Sequence, residues 1–267
     1  MVSTVSTDRD FVRKISRVTS DLISVPAPPE LDLAPTMSGQ AYAALRSDIL
    51  AGDIAPGAKL KMHELQHRYH LSSSPLREAL SRLVAEQIVT VDDRKGFRAA
   101  RVSLEDLSDI TKFRLILEVS AFEAAISNGT AEWEAECIAA LHRLRALDRA
   151  LPAKERSWDR QWIAAHKAFH IALISACGSR RLLDACSAMF DQSQRYRSLS
   201  ARYRTSPRNS GLEHRRLLDA ALQRDSAVGR ELLGDHIQKT ANQVSLYLAN
   251  PDNALDLTGA AGGSVRL

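Results

Sequence analysis

The run Leu71-Ser72-Ser73-Ser74-Pro75-Leu76-Arg77-Glu78-Ala79-Leu80 constrains this chain more than any other stretch. Hydroxyl residues lead into a helix expected from Pro75 to about Glu86. A proline is tolerated at a first helical position because the missing N–H has no partner there. Leu80, Leu83, Val84 and Ile88 keep one face of that helix apolar. Next come Ile88-Val89-Thr90-Val91, a polar break at Asp92-Asp93-Arg94-Lys95-Gly96, and Phe97-Arg98-Ala99-Ala100, which read as a strand, a basic turn and a second strand. Upstream, Tyr42, Leu45, Ile49 and Leu50 mark an amphipathic helix stopping near Ala51-Gly52-Asp53. Ala55-Pro56-Gly57 is a turn, Leu60-Lys61 an extended piece, and Met62 to Tyr69 a helix that buries Leu65. Residues 37–101 therefore read as a winged helix-turn-helix.

From Arg101 the pattern is helical almost throughout. Ser103, with Asp106 three residues on, has the spacing of a capping box. Helices are expected over 104–127, 131–150, 156–176, 179–201, 209–223 and 226–248, a bundle occupying 102–249. The fold class is thus mainly α, an N-terminal winged helix-turn-helix followed by an all-helical bundle. Two domains also suit a chain of 267 residues. Residues 1–36, with the run Val25-Pro26-Ala27-Pro28-Pro29 and a short helix expected around Phe11 to Val18, read as a flexible arm. Residues 250–267, carrying Gly259, Gly262 and Gly263, read as a flexible tail. Cys137, Cys177 and Cys186 form no C-x-x-C pair, which fits a reducing compartment. No apolar run is long enough to span a membrane and no secretion signal opens the chain, so a cytoplasmic location is expected.

A helix whose first turn enters the major groove, flanked by phosphate anchors, is what duplex recognition requires. Arg77 is the candidate for a base edge, because a guanidinium bonds both guanine acceptors. Ser72, Ser73 and Ser74 offer hydroxyls and backbone N–H groups. Arg46, Lys61 and Arg82 are candidate backbone anchors, and Lys95 and Gly96 the candidate wing tip. Taken singly, each of these also reads as an ordinary helix surface or cap. The ordered set points to DNA, and a net charge of +4 permits it.

Four histidines form a second constellation. His166 and His170 share a helix face, His214 lies on a later helix and His236 on the last. Three helices of a bundle can bring four imidazoles to one point, the chemistry of a divalent transition metal. The other reading of the same spacing is a set of exposed or hydrogen-bonded histidines. Arg114 and Arg195 are candidates for pairing with a carboxylate beside that cation. Against this, Arg114 has Glu118 at i+4, and the arginines from Arg195 to Arg204 read as a solvated basic face. A metal-dependent hydrolase with an accessory winged helix is the alternative function. Glu213 adjoins His214, but no general base or nucleophile is clearly placed for it.

The sequence resembles the GntR family of bacterial transcription regulators over about residues 38–248. The likeness rests on Pro56-Gly57, Leu60, Ser72-x-x-Pro75-Leu76-Arg77-Glu78-Ala79-Leu80-x-x-Leu83 and Gly96. It implies operator contacts at Ser72, Ser73, Ser74, Arg77 and Gly96, and a weaker one at His63. Ser73 departs from the family, which often has arginine there. The helical part is similar to the effector domain of the FadR-like subfamily, whose metal histidines correspond to His170, His214 and His236. His166 stands where many members have aspartate, which makes the site more cationic and favours zinc, then nickel, over manganese. Trp162, Cys177-Gly178-Ser179 and Arg195-Tyr196-Arg197 are similar to the glutarate-sensing branch. They imply a small carboxylate or dicarboxylate effector, contacted by Arg114, Arg195 and Tyr196. A homodimer on a near-palindromic operator, released by effector, is the expected mechanism.

Overall fold

The computed structural model describes residues 36–92, 96–153, 155–203 and 210–249. The arm expected over residues 1–36 lies outside them but for its last residue. The tail, the wing-tip Lys95 and residues 204–209, most of which separate two expected helices, also fall outside.

The chain is mainly α, a winged helix-turn-helix followed by a helical bundle. The winged helix comprises α1 (Met37–Ala51), α2 (Met62–Tyr69), α3 (Ser73–Ala85), β1 (Val89–Asp92) and β2 (Gly96–Ala99). Thr36 caps α1 by accepting from the Gly39 N–H, and Gly52 ends it in the left-handed conformation at φ 83°. The strands pair antiparallel with Val89 opposite Ala99. Lys59 bridges Arg98, so the extended piece before α2 adds a third short rung. Leu45, Leu76, Leu80, Leu83 and Ile88 are fully buried in the core between the helices and the hairpin.

Helix α3 starts at Ser73, two residues before the expected Pro75. The proline is still tolerated, since the first four N–H groups of any helix lack an intrahelical acceptor.

The bundle comprises α4 (Leu104–Asn128), α5 (Ala131–Ala150), α6 (Arg160–Ile174), α7 (Arg180–Tyr203), α8 (Ser210–Leu222) and α9 (Ser226–Leu248). Ser103 caps α4 by accepting from the Asp106 N–H at 3.1 Å. Helix α6 is shorter than the expected 156–176 because Asp159 caps it, accepting from the Trp162 N–H at 2.8 Å. The core runs through Phe122, Trp133, Leu144, Phe169, Leu173, Leu217 and Ile237. Among the described residues no helix is long and apolar enough to cross a membrane.

Helix α7 departs most from expectation. Of the arginines read as a solvated basic face, Arg195 is buried and Arg197 half-buried, while the side chains of Arg202 and Arg204 lie outside the described residues; Asp191, Gln192, Ser193, Gln194, Tyr196, Ser198 and Ser200 are buried too. The helix lies between the winged helix and the rest of the bundle, so its polar side chains bond protein groups on both sides.

Candidate metal and effector centre and nucleic-acid interface

One turn of α6 separates His166 from His170, while α8 carries His214 and α9 carries His236. Phe169, Leu173, Leu217, Leu233 and Ile237 pack these three helices together in the core. The four imidazoles consequently converge: one ligand atom from each lies within 4.8 Å of all the others, and every residue of the set is buried.

His166 Nε2 and His214 Nε2 are 3.3 Å apart. Two nitrogens on a tetrahedral cation with bonds of about 2.0–2.1 Å are separated by roughly that distance. Behind the cluster, Glu213 holds His236 Nδ1 at 2.7 Å, which leaves Nε2 as the donor of that ring. Buried without a hydrogen-bond partner are His166 Nδ1 and His170 Nε2. Burial lowers the pKa of both residues well below the usual histidine range. The neighbouring imidazoles and Arg197 depress it further at His166; at His170 the imidazoles, Arg114 and Arg197 do so. These rings are therefore neutral, the form that ligates a metal. Neutral buried donors of one type, with ring nitrogens otherwise unsatisfied, fit a divalent transition metal.

Beside the histidines is a cavity of about 60 Å³ lined by Arg114, Arg156, Trp162, Phe190, Arg197 and Gln243, among others. Among the described residues no acidic side chain lines it. Trp162 stacks on His166 with ring centroids 4.5 Å apart, fixing that imidazole at the rim. Arg114 is ion-paired with Glu118 at 2.6 Å and also lines the cavity. Arg197 bonds Gln194 Oε1, Ser193 Oγ and the Phe190 carbonyl, all neutral. Its pKa is pushed down to about 9, by burial first and then by the Arg114 charge. A desolvated guanidinium with neutral partners is a ready site for an anion.

The effector contacts expected at Arg195 and Tyr196 are corrected here, since neither lines the cavity. Arg195 donates to the carbonyls of Ala100 and Arg101, at 3.1 and 3.3 Å. The Tyr196 hydroxyl donates to Asp106. Successive residues on a helix point about 100° apart, so a step from 195 or 196 to 197 exchanges the interdomain face for the cavity. Arg197 and Arg156 are the cavity cations that sequence reasoning missed.

On the winged helix, Ser72, Ser73, Ser74 and Arg77 are exposed at the start of α3. Ser72 is the N-cap residue, yet its side chain makes no capping bond. Gly96 at the wing has φ 77° and open space where a side chain would sit, so backbone can approach a partner closely there. His63 is exposed on α2, and Lys61 is paired with Glu64 at 2.7 Å. Arg82 is exposed with its guanidinium 3.9 Å over the Tyr42 ring. Arg46 does not stand on this open face. It is part-buried between Glu86 and Asp191, on the side turned to the bundle, where two carboxylates compensate its desolvation.

Comparison with known proteins bears on both halves. The model of bacterial regulatory proteins of the gntR family matches residues 37–98, and the FCD domain model matches 109–239. The HTH-type transcriptional repressor GlaR of Escherichia coli is 41% identical over 201 residues, 73% of this chain and 90% of that protein. The chain belongs to the GntR family. The uncharacterized HTH-type transcriptional regulator BphR of Paraburkholderia xenovorans is 38% identical over 203 residues, 76% of this chain and 83% of its own. Two solved structures share the fold. Escherichia coli McbR/YncC has a TM-score of 0.64 at 22% identity, over 79% of this chain and 98% of that one. A transcriptional regulator from Rhodococcus has a TM-score of 0.62 at 18% identity, over 78% and 97%. As a GntR regulator with an FCD domain, the protein binds DNA and answers to a small molecule. Membership supports that role rather than the hydrolase alternative.

Proposed function

We propose that this GntR regulator is a homodimeric repressor of the FadR-like branch, released from its operator by a small carboxylate or dicarboxylate held beside a divalent metal. His166, His170, His214 and His236 would hold the ion, zinc first and nickel second. Bound there, the cation supplies a Lewis-acid anchor for a carboxylate oxygen. Arg197 and Arg114 neutralise and orient the anion, Arg156 extends the positive lining, and Trp162 and Phe190 exclude water. Ser72, Ser73, Ser74, Arg77 and Gly96 carry the DNA contact, with His63 and Arg82 near the backbone. Two copies related by a two-fold axis would read two half-sites. Lys95 is proposed as a further DNA contact, and the metal-free centre is expected to bind effector weakly.

The observation that carries this reading is Arg197, a part-buried guanidinium whose hydrogen bonds go to the neutral Gln194, Ser193 and Phe190 groups, facing a cavity shared with neutral imidazoles. The test is fluorescence anisotropy of the zinc-loaded full chain on duplexes selected from a random pool, titrated with a series of small mono- and dicarboxylates. Release by at least one acid is expected, with Arg197→Gln losing the response while keeping metal and DNA affinity. Release that is undiminished in Arg197→Gln, or by no carboxylate at all, would refute the reading.

A further inference from the structure

Helix α7 presents different faces to the cavity and to the winged helix. Phe190, Arg197 and Ser200 line the cavity. Asp191, Arg195 and Ser198, spaced i, i+4 and i+7, form a separate stripe with Gln192 beside it.

That stripe holds the winged helix by its loose ends. Ser198 Oγ lies 2.7 Å from the carbonyl of Leu50, in the last turn of α1. The Gln192 amide donates to the carbonyl of Glu86, the residue that caps α3, at 3.2 Å. Arg195 donates to the carbonyl of Ala100, just beyond β2, at 3.1 Å. Terminal carbonyls of helices have no partner within their own element, so a neighbour that supplies one fixes where the element ends.

The same stripe is tied to the metal helix. The Asp191 carboxylate accepts from Arg46 of α1 and, at 2.5 Å, from Lys167 of α6. Lys167 follows His166 directly in the chain. Ser198 Oγ also lies 2.7 Å from the carbonyl of Ser157, a residue lining the cavity. A hydroxyl has one proton, so it serves Leu50 or Ser157 fully but not both.

We infer that α7 transmits the state of the metal and effector centre to the winged helix, with Asp191 as the positioning residue that joins α1, α6 and α7. Loading the histidines fixes α6 and, through Lys167 and Asp191, the seat of Arg46. Filling the cavity beside Ser157 changes how Ser198 shares its proton with α1. Either event alters the differential stability of winged-helix positions, which is what coupling between two sites requires. This rests on the metal centre proposed above.

The test is hydrogen exchange by mass spectrometry on the full chain, metal-free and with zinc alone. In the wild type zinc slows exchange in α6, α8 and α9, and also in α1 by about tenfold, an ordinary coupling. In Asp191→Asn and in Lys167→Met the slowing in α6, α8 and α9 persists, while that in α1 falls below about twofold. Asp191→Glu restores the α1 response, which a merely lost fold would not do. Lys167→Met cuts the α6 end of the same link while leaving the Arg46–Asp191 pair, and reads out the same coupling if Asp191→Asn folds poorly. A wild-type α1 indifferent to zinc, with α6, α8 and α9 protected, overturns the inference and leaves the metal centre standing. So does an α1 response equal in wild type and variants. No zinc protection anywhere overturns both.

Discussion

Replacing His170 by leucine separates a metal centre from a merely packed histidine cluster, because the two predict opposite signs in the absence of metal. His170 is buried and its Nε2 has no hydrogen-bond partner. An unsatisfied buried polar atom costs roughly 1–3 kcal/mol. The metal-free His170→Leu protein is therefore expected to equal or exceed the wild type in stability by up to about that amount, as leucine puts apolar volume beside Phe169 and Phe190. Zinc reverses the order. A ligand at about 100 times its Kd stabilises a fold by roughly 2.7 kcal/mol. At about 2–4 °C per kcal/mol for a chain of this size, the wild type gains roughly 5–11 °C in Tm. The variant, with three imidazoles left, should gain less than about 3 °C at the same free zinc. Differential scanning fluorimetry on chelator-treated protein, with metal content measured alongside, gives both numbers. An equal zinc shift in variant and wild type would refute the argument. A metal-free variant weaker by several kcal/mol would refute it too, by showing that the ring makes a structural bond.

Two further outcomes follow from other parts of the molecule. Arg77→Ala should leave the circular dichroism spectrum intact and weaken operator binding by about 1–3 kcal/mol, roughly 5- to 150-fold at fixed salt; unchanged affinity removes Arg77 from the interface. Burial pushes the Cys137 thiol up to about 12, with Glu136 and Glu134 adding to it. The unfolded chain ionises that thiol above about pH 9 while the fold keeps it protonated, so stability is lost as pH rises from about 9 towards 12. Between pH 8 and 10 the wild type should lose about 1.4 kcal/mol more than Cys137→Val in urea unfolding, and parallel losses would show that this thiol is not buried in the way described.

The winged helix was legible because its signals are local: a serine run into Pro75, leucines at helical spacing, and an alternating pair of strands around Gly96. The histidine cluster was legible for a related reason. His166 and His170 are one turn apart, and the leucines beside His214 and His236 show which way those helices face. Helix α7 was opaque. Hydrophobic periodicity reports a helix face only when the other face meets water, and Asp191 to Ser200 is polar yet buried on several sides. Nothing in that run distinguishes Arg195, which bonds the Ala100 carbonyl, from Arg197, which lines the cavity. Arg46 misled for the same reason. Its carboxylate partner Asp191 lies 145 positions away and is invisible to spacing. The expected α6 began at residue 156 rather than at Arg160 because the bond by which Asp159 caps the helix does not show in hydrophobic spacing.

The capping of Leu50, Glu86 and Ala100 by side chains of α7 bears on how such regulators diversify. A recombination point placed near Arg101 divides the polypeptide at its most natural sequence boundary, but it leaves half of a matched set behind. An imported N-terminal module would meet Gln192, Arg195 and Ser198 with its own chain ends displaced, and each mismatch strands a buried polar group. Inheritance of new operator preferences in this lineage is therefore expected to proceed by changes at exposed positions of α3 such as Ser73, Ser74 and Arg77, away from the α7 seam, rather than by wholesale exchange of modules.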